Sequence, residues 1–154
     1  LNYMEDLLKI TQIDRSKSTH KVKPPPSKIL LVEDNRVNRK VATRMLEKMD
    51  MSVSIATNGQ EAVDRLEEQN FDLVLMDCQM PVLDGLAATR QIRFREQREK
   101  TQPTLIIALT ANVDLQHRQL CVEAGMDDYL AKPFRFDGLA IMLDKWLKPL
   151  KNAE

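Results

Sequence analysis

The sequence has no apolar stretch near the length that crosses a bilayer, and no secretory leader is expected in it. It also has no excess of either charge, since 23 Lys and Arg stand against 23 Asp and Glu. Bulk electrostatics therefore supplies no attraction to nucleic acid or to an anionic membrane. A cytoplasmic chain with neither as a partner is expected. Cysteine is scarce: Cys78 and Cys121 are far apart and in no metal-ligand spacing. Two reduced thiols are expected, rather than a disulfide framework or a metal knuckle. There is no internal repeat, and the one biased segment is a run of three prolines within KVKPPPSK. The chain opens on Leu1 rather than Met, so a longer parent protein is expected.

What is present has the composition of an ordinary globular domain, with 43% apolar and 30% charged residues and enough length for one full core. The most informative stretch is Phe71 to Gly85, FDLVLMDCQMPVLDG. Its apolar run, Leu73 to Met76, leads straight into Asp77, as in a strand buried on both faces. Met80-Pro81 and Asp84-Gly85 then turn the chain and open a helix, with Asp84 as cap. That helix carries Ala88 and Ile92 and runs out through Arg98, followed by a polar extension over Arg95 to Thr104.

The same alternation holds elsewhere. Ile29 to Val32 is a strand ending in Glu33-Asp34-Asn35, and Val37, Val41, Met45, Leu46 and Met49 form a helical stripe after it. Val53 to Ala56 is a second strand, followed by an Asn58-Gly59 turn and a helix with Ala62, Val63 and Leu66. Leu105 to Leu109 is a fourth strand ending at Thr110, and Leu115 to Ala124 a helix with Gly125 just beyond it. Asp127 to Ala131 is a weak fifth strand ending at Lys132-Pro133. Leu139, Leu143, Trp146 and Leu147 mark a fifth helix, which Pro149 is expected to close.

Five strand–helix units predict an α/β fold, with a flavodoxin-like, doubly wound parallel sheet in the order 2-1-3-4-5 and helices on both faces. The domain is expected to span 28–149. Before it, 1–27 holds a short amphipathic helix (Leu1, Met4, Leu7 and Leu8 on one face) and the proline-rich linker. After it, 150–154 is a tail.

In such a sheet the strand ends share one edge, so Glu33, Asp34, Asp77, Thr110 and Lys132 are expected to converge there. Singly, each has a plain reading: a loop acid, a helix cap, a surface lysine. Together they suggest chemistry. Three close carboxylates cannot all ionise without a cation. Hard oxygen ligands suit Mg2+, which keeps waters and accepts a phosphate oxygen. Asp77 is then a nucleophile for a phosphoryl group, with Lys132 and Thr110 stabilising its charge. Tyr129 reads equally well as a plain edge-strand aromatic.

The acidic pair in LVEDN, with LMDCQMPVLDG, ALTAN and DDYLAKPF, resembles the receiver domain of two-component signalling over Lys28 to about Leu147. The resemblance implies that Asp77 accepts a phosphoryl group from a phosphohistidine, on a histidine kinase or a histidine phosphotransfer domain. It implies that Glu33, Asp34, Asp77 and the backbone carbonyl of Gln79 bind Mg2+, and that Thr110 and Lys132 contact the phosphoryl oxygens. It makes Thr110 and Tyr129 a switch pair and sets Gln79 and Asn112 where they tune phosphate lifetime. It also implies a cis Lys132-Pro133 bond. The domain's own catalysis is then limited to its phosphorylation and dephosphorylation. The wording of MDCQMPVLDG and EDN is most similar to C-terminal receivers of hybrid sensor histidine kinases.

Three rival readings fit these residues less well. An aspartate-nucleophile phosphatase resembles DxD motifs, whereas Gln79 stands two residues after Asp77. A pseudo-receiver, acting only as an interaction module, would lack one of the acids or the lysine, and all are present. A flavodoxin-like cofactor binder needs glycines and hydroxyls after the first strand, and Asn35-Arg36-Val37 supplies neither.

Overall fold

Apolar runs that stay apolar on successive residues must be covered on both sides, and these are. The computed structural model describes residues 26–151. The expected helix over Leu1 to Ile10, nearly all of the linker and the last three residues lie outside them. Five strands alternate with five helices: β1 (Lys28–Val32), α1 (Arg36–Lys48), β2 (Ser52–Ala56), α2 (Gly59–Glu68), β3 (Leu73–Asp77), α3 (Gly85–Glu99), β4 (Ile106–Thr110), α4 (Leu115–Ala124), β5 (Asp128–Ala131) and α5 (Phe136–Lys151). All pairings are parallel, in the order β2-β1-β3-β4-β5.

The period of two along each inner strand divides the core. Leu30, Val32, Val74, Met76, Ile106 and Ala108 pack toward Ala62, Val63, Ala88, Ile92 and Cys121, from α2, α3 and α4. Ile29, Leu31, Leu73, Leu75, Ile107 and Leu109 pack toward Ala42 and Leu46 of α1 and Leu139, Leu143 and Leu147 of α5. Each fully buried Leu or Ile contributes about 1.5–3 kcal/mol, so both helical layers are held firmly to the sheet.

Register sets the functional edge. Val32 pairs with Met76, Asp77 with Leu109, and Thr110 with Ala131. Glu33, Asp77, Thr110 and Lys132 therefore emerge from neighbouring strands at one level. The helices that follow are capped by side chains. Asn35, Asn58, Asp84 and Asp114 accept hydrogen bonds from the backbone amides of Asn38, Glu61, Ala87 and His117. Gly85 has a steric requirement: a Cβ there would run into the carbonyl oxygen of Asp77. This close approach holds the β3–α3 turn against the strand end.

Some boundaries differ from those expected. The segment taken as a polar extension from Arg95 is helical as far as Glu99, and Lys100 caps it in the left-handed conformation. The exposed polar residues there are an outer helix face rather than a loop. The fifth strand begins at Asp128 and the fourth at Ile106. Pro149 does not close the last helix, whose backbone continues to Lys151. A proline removes one amide donor, and in a final turn that loss is borne without ending the helix. The Lys132-Pro133 bond is cis, as the resemblance implied.

Candidate functional site

Burial and backbone contacts fix the acidic turn after β1. Glu33 is buried, and both its oxygens are engaged: Lys132 Nζ donates to Oε1 at 2.9 Å and the Asn35 amide donates to Oε2 at 3.1 Å. Arg39 Nη1 donates to the carbonyl oxygens of Glu33 and Asp34, at 3.1 and 3.0 Å, and holds the turn from outside. Asp34 itself points to solvent.

Asp77 ends β3 and is 4% exposed. Its Oδ1 accepts from the Gln79 amide at 3.1 Å, and its Oδ2 lies 3.1 Å from Lys132 Nζ. Lys132 is positioned by its own amide, which donates to the Thr110 carbonyl at 2.8 Å. One ammonium thus bridges two buried carboxylates from different strands. An oxygen from each of Glu33, Asp34 and Asp77 lies within 4.8 Å of the other two.

The electrostatics follow from this crowding. Burial is the largest influence on Asp77; the Gln79 amide and Lys132 oppose it and the Glu33 carboxylate reinforces it, so the group is raised from 3.8 to about 6. Burial also acts to raise Glu33. There the hydrogen bonds from Lys132 and Asn35 outweigh it and hold that carboxyl below its usual value. Burial would lower Lys132, yet its two carboxylate partners keep it above the ordinary lysine value. The buried pair at this edge therefore consists of a Glu33 held in favour of its ionised form and an Asp77 pushed toward its neutral one.

These groups line a cleft of about 230 Å3 with Asn35, Asn38, Cys78, Gln79, Thr110 and Ala111. Three carboxylates against one ammonium, with one carboxylate in solvent, fit a hard divalent cation with oxygen ligands and waters. A larger cavity, about 980 Å3, is lined by Phe71, Asp72 and Leu105 at the opposite strand ends, and is remote from this chemistry.

Glu33, Asp34, Asp77, Gln79, Thr110 and Lys132 are brought together as expected. Thr110 is buried, but its hydroxyl donates to the Asn112 carbonyl at 2.9 Å and accepts from the Asn112 amide at 3.0 Å. It is thus engaged within its own turn. Asn112 does not line the cleft; its side chain accepts from the Asp114 amide at 3.1 Å. Tyr129 is outside as well. Its hydroxyl accepts from Arg118 Nη1 at 3.3 Å, and the guanidinium lies 5.8 Å from the ring centroid. It lines a separate cavity with Leu115 and Val122.

Asn38, in the first turn of α1, was not anticipated; its signal was a polar side chain on the turn that follows the acidic pair. The two cysteines, far apart in the sequence, have sulfurs 4.0 Å from each other, because α4 packs over the end of β3. Burial pushes both thiols up.

Comparison with known proteins decides what this edge belongs to. The family described as "Response regulator receiver domain" matches residues 29–144. The chain belongs to the response regulator receiver family. This receiver is 40% identical over 138 residues to hybrid signal transduction histidine kinase E of Dictyostelium discoideum, covering 89% of this chain and 8% of that protein. It is 34% identical over 171 residues to probable histidine kinase 1 of Oryza sativa subsp. indica, covering 90% of this chain and 18% of that protein. The chain therefore spans only a small part of the relatives it matches.

Among solved structures, it is similar to the receiver domain of sensor histidine kinase PA1611 from Pseudomonas aeruginosa PAO1, described with magnesium coordinated in the active-site cleft. Identity is 46% and the TM-score 0.72, covering 80% of this chain and 98% of that one. It is also similar to the Saccharomyces cerevisiae receiver of Ssk1, solved with the histidine phosphotransfer protein Ypd1. There identity is 36% and the TM-score 0.76, covering 82% of this chain and 91% of that one. Magnesium is thus bound in the cleft of one solved member of this family. Among the described residues of this receiver, no helix is long and apolar enough to cross a membrane.

Proposed function

We propose that this receiver takes a phosphoryl group from a phosphohistidine onto Asp77, within a domain spanning 28–149. The observation that supports this most directly is the Asp77 carboxylate, buried and 3.1 Å from Lys132 in a cleft with two further acids. Glu33, Asp34, Asp77 and the backbone carbonyl of Gln79 are the groups that would hold Mg2+. The ion would supply positive charge against the transferring phosphoryl oxygens.

The residues of the chain do the rest. Asp77 is raised to about 6, so it is ionised and nucleophilic at neutral pH. One of its oxygens forms the new bond to phosphorus as the phosphorus–nitrogen bond to the donor imidazole breaks. The electron pair of that bond stays on the departing nitrogen. Lys132 already lies against Asp77 and needs only a small displacement to meet the phosphoryl oxygens. Thr110 would exchange its bonds with Asn112 for one to the phosphoryl group. Its movement would free space into which Tyr129 turns, remodelling the α4–β5–α5 face. The phosphorylated form shifts that equilibrium only by binding one arrangement better than the other. Gln79 at the rim, and Asn112 through the turn that holds Thr110, would set how readily water reaches the phosphate.

The donor would be a histidine kinase or a histidine phosphotransfer domain. Val37 (67% exposed) and Val41 (48%) on α1 and Val82 (81%) in the β3–α3 turn offer an apolar face beside the cleft. The relatives support a hybrid histidine kinase as the parent protein, and a cytoplasmic location follows from that role. Intact mass after incubation with acetyl phosphate and Mg2+ tests the central claim. One phosphoryl adduct on wild type, absent in Asp77→Asn and in EDTA, is expected. An adduct that persists in Asp77→Asn would move the acceptor elsewhere. Continued hydrolysis of a small phosphate ester would instead favour a phosphatase.

A further inference from the structure

The fold assembles a second group of potential metal ligands that the phosphoryl chemistry does not use. Cys78 directly follows β3, and His117 and Cys121 stand four residues apart on α4, where the helical period puts them on one face. Both cysteines are buried, at 3% and 4% exposure. The sulfurs are 4.0 Å apart, and an imidazole nitrogen lies within 4.8 Å of both. The chain has two cysteines and two histidines in all, so three of those four side chains meet here. His117 Nε2 is itself buried and, among the described residues, has no hydrogen-bond partner. A buried nitrogen without a partner is costly, and a ligand in this cluster would give it one.

We propose that Cys78, His117 and Cys121 form a binding site for a thiophilic d10 cation, Cu+ or Zn2+. The spacing is close to what such an ion needs. A tetrahedral ion with metal–sulfur bonds of about 2.3 Å holds its two sulfurs about 3.8 Å apart. The imidazole has to close by at most about 1.2 Å to reach a metal–nitrogen bond of about 2.0 Å. Each sulfur releases its proton to solvent as it binds. Among the described residues no fourth His, Cys or carboxylate joins the group. Three ligands complete a trigonal Cu+ centre, whereas Zn2+ would add water but leave a neutral charge sum in a buried place. The site is chemically distinct from the acidic cleft: sulfur and imidazole here, hard oxygen there. The ion would tie α4 to the residue beside Asp77.

The test uses the reduced 154-residue chain under anaerobic conditions. Cu+ is titrated against a Cu+-specific chromophoric chelator and Zn2+ against a zinc indicator, with Co2+ as a spectroscopic substitute. One equivalent bound, with thiolate-to-cobalt charge transfer and no displacement by excess Mg2+, is expected, and the two titrations identify the preferred ion. Loss of a metal's outer-sphere partner typically weakens binding about 10–100-fold, so His117→Gln and Cys121→Ser are each expected to weaken it at least that much. Circular dichroism checks that both variants fold. The proposal is overturned by the absence of a bound equivalent, or by binding that survives unchanged in folded His117→Gln.

Discussion

Replacing Asp77 with Asn should stabilise the metal-free receiver at neutral pH, although it removes the group on which the proposed chemistry depends. The reasoning is thermodynamic linkage. Asp77 rises from 3.8 to about 6 on folding, chiefly because it is buried, with Glu33 adding repulsion. A raised carboxyl contributes its full share of stability below its unfolded pKa and loses it as pH rises through the folded one. Wild type should therefore lose stability between about pH 4 and pH 6, by about 3 kcal/mol from this group at about 1.4 kcal/mol per pH unit. Asn carries no charge at any pH and escapes the loss. Urea unfolding in EDTA should show the two proteins equal near pH 4, with Asp77→Asn ahead by about 2–3 kcal/mol at pH 7.5. Mg2+ should narrow the gap by stabilising wild type alone. Asp77→Asn proving less stable at pH 7.5 in EDTA would refute the argument, because the Lys132 contact would then outweigh burial.

Three further perturbations test the parts around this centre. Lys132→Met removes the ammonium from Glu33 and Asp77, whose side chains are 3% and 6% exposed. Stranding buried carboxylates costs about 3–5 kcal/mol, and adding Asp77→Asn should restore part of it in a double-mutant cycle. Arg93 joins α3 to the strand ends on the opposite side of the molecule, donating to Gly125 O, Thr104 O, Glu96 and Asp127 at 2.8–2.9 Å. Lysine cannot reproduce that fork, so Arg93→Lys should lower the urea midpoint by an amount equivalent to about 2 kcal/mol. Asp128 accepts from Trp146 Nε1 at 2.8 Å and from Lys145 at 2.9 Å. Burial would raise this carboxyl, but these bonds hold it below its usual value. Its contribution is present above about pH 4 and is lost as pH falls through the folded value, so Asp128→Asn should cost about 1 kcal/mol at pH 7 and nothing measurable once wild-type Asp128 is protonated.

The strands and the site edge were legible because they depend on patterns that leave few alternatives. Leu73 to Met76 can be buried only on two faces, and a strand of that kind between two others requires helical crossovers. Once the order is fixed, the positions of Glu33, Asp77, Thr110 and Lys132 follow from where each apolar run stops. What was not legible depends on side-chain direction or on three-dimensional proximity. Thr110 bonds to its own turn and Tyr129 lies against Arg118, and neither choice can be read from residue type. Cys78 and Cys121 looked unrelated because the packing of α4 over β3 has no local sequence signal; only the four-residue spacing of His117 and Cys121 hinted at it. Pro149 misled because proline propensity is weak evidence in the last turn of a helix.

The arrangement of charge explains why this edge should need a cation at each stage. Three carboxylates against one ammonium leave two negative charges around a cleft of about 230 Å3. A phosphoryl group brings about two more. Without a cation, the site that is to receive the phosphate would repel it, and Lys132 alone cannot reverse the sign. Burial, with Glu33 adding repulsion, lifts Asp77 toward neutrality and so reduces its ionised fraction. A divalent ion held by Glu33, Asp34 and Asp77 would offset both, favouring the ionised form of Asp77 and balancing the incoming charge. Neutralising Asp34, the exposed member of the trio, should therefore weaken Mg2+ binding and slow phosphorylation, while the metal-free stability set by burial of Asp77 stays as it is.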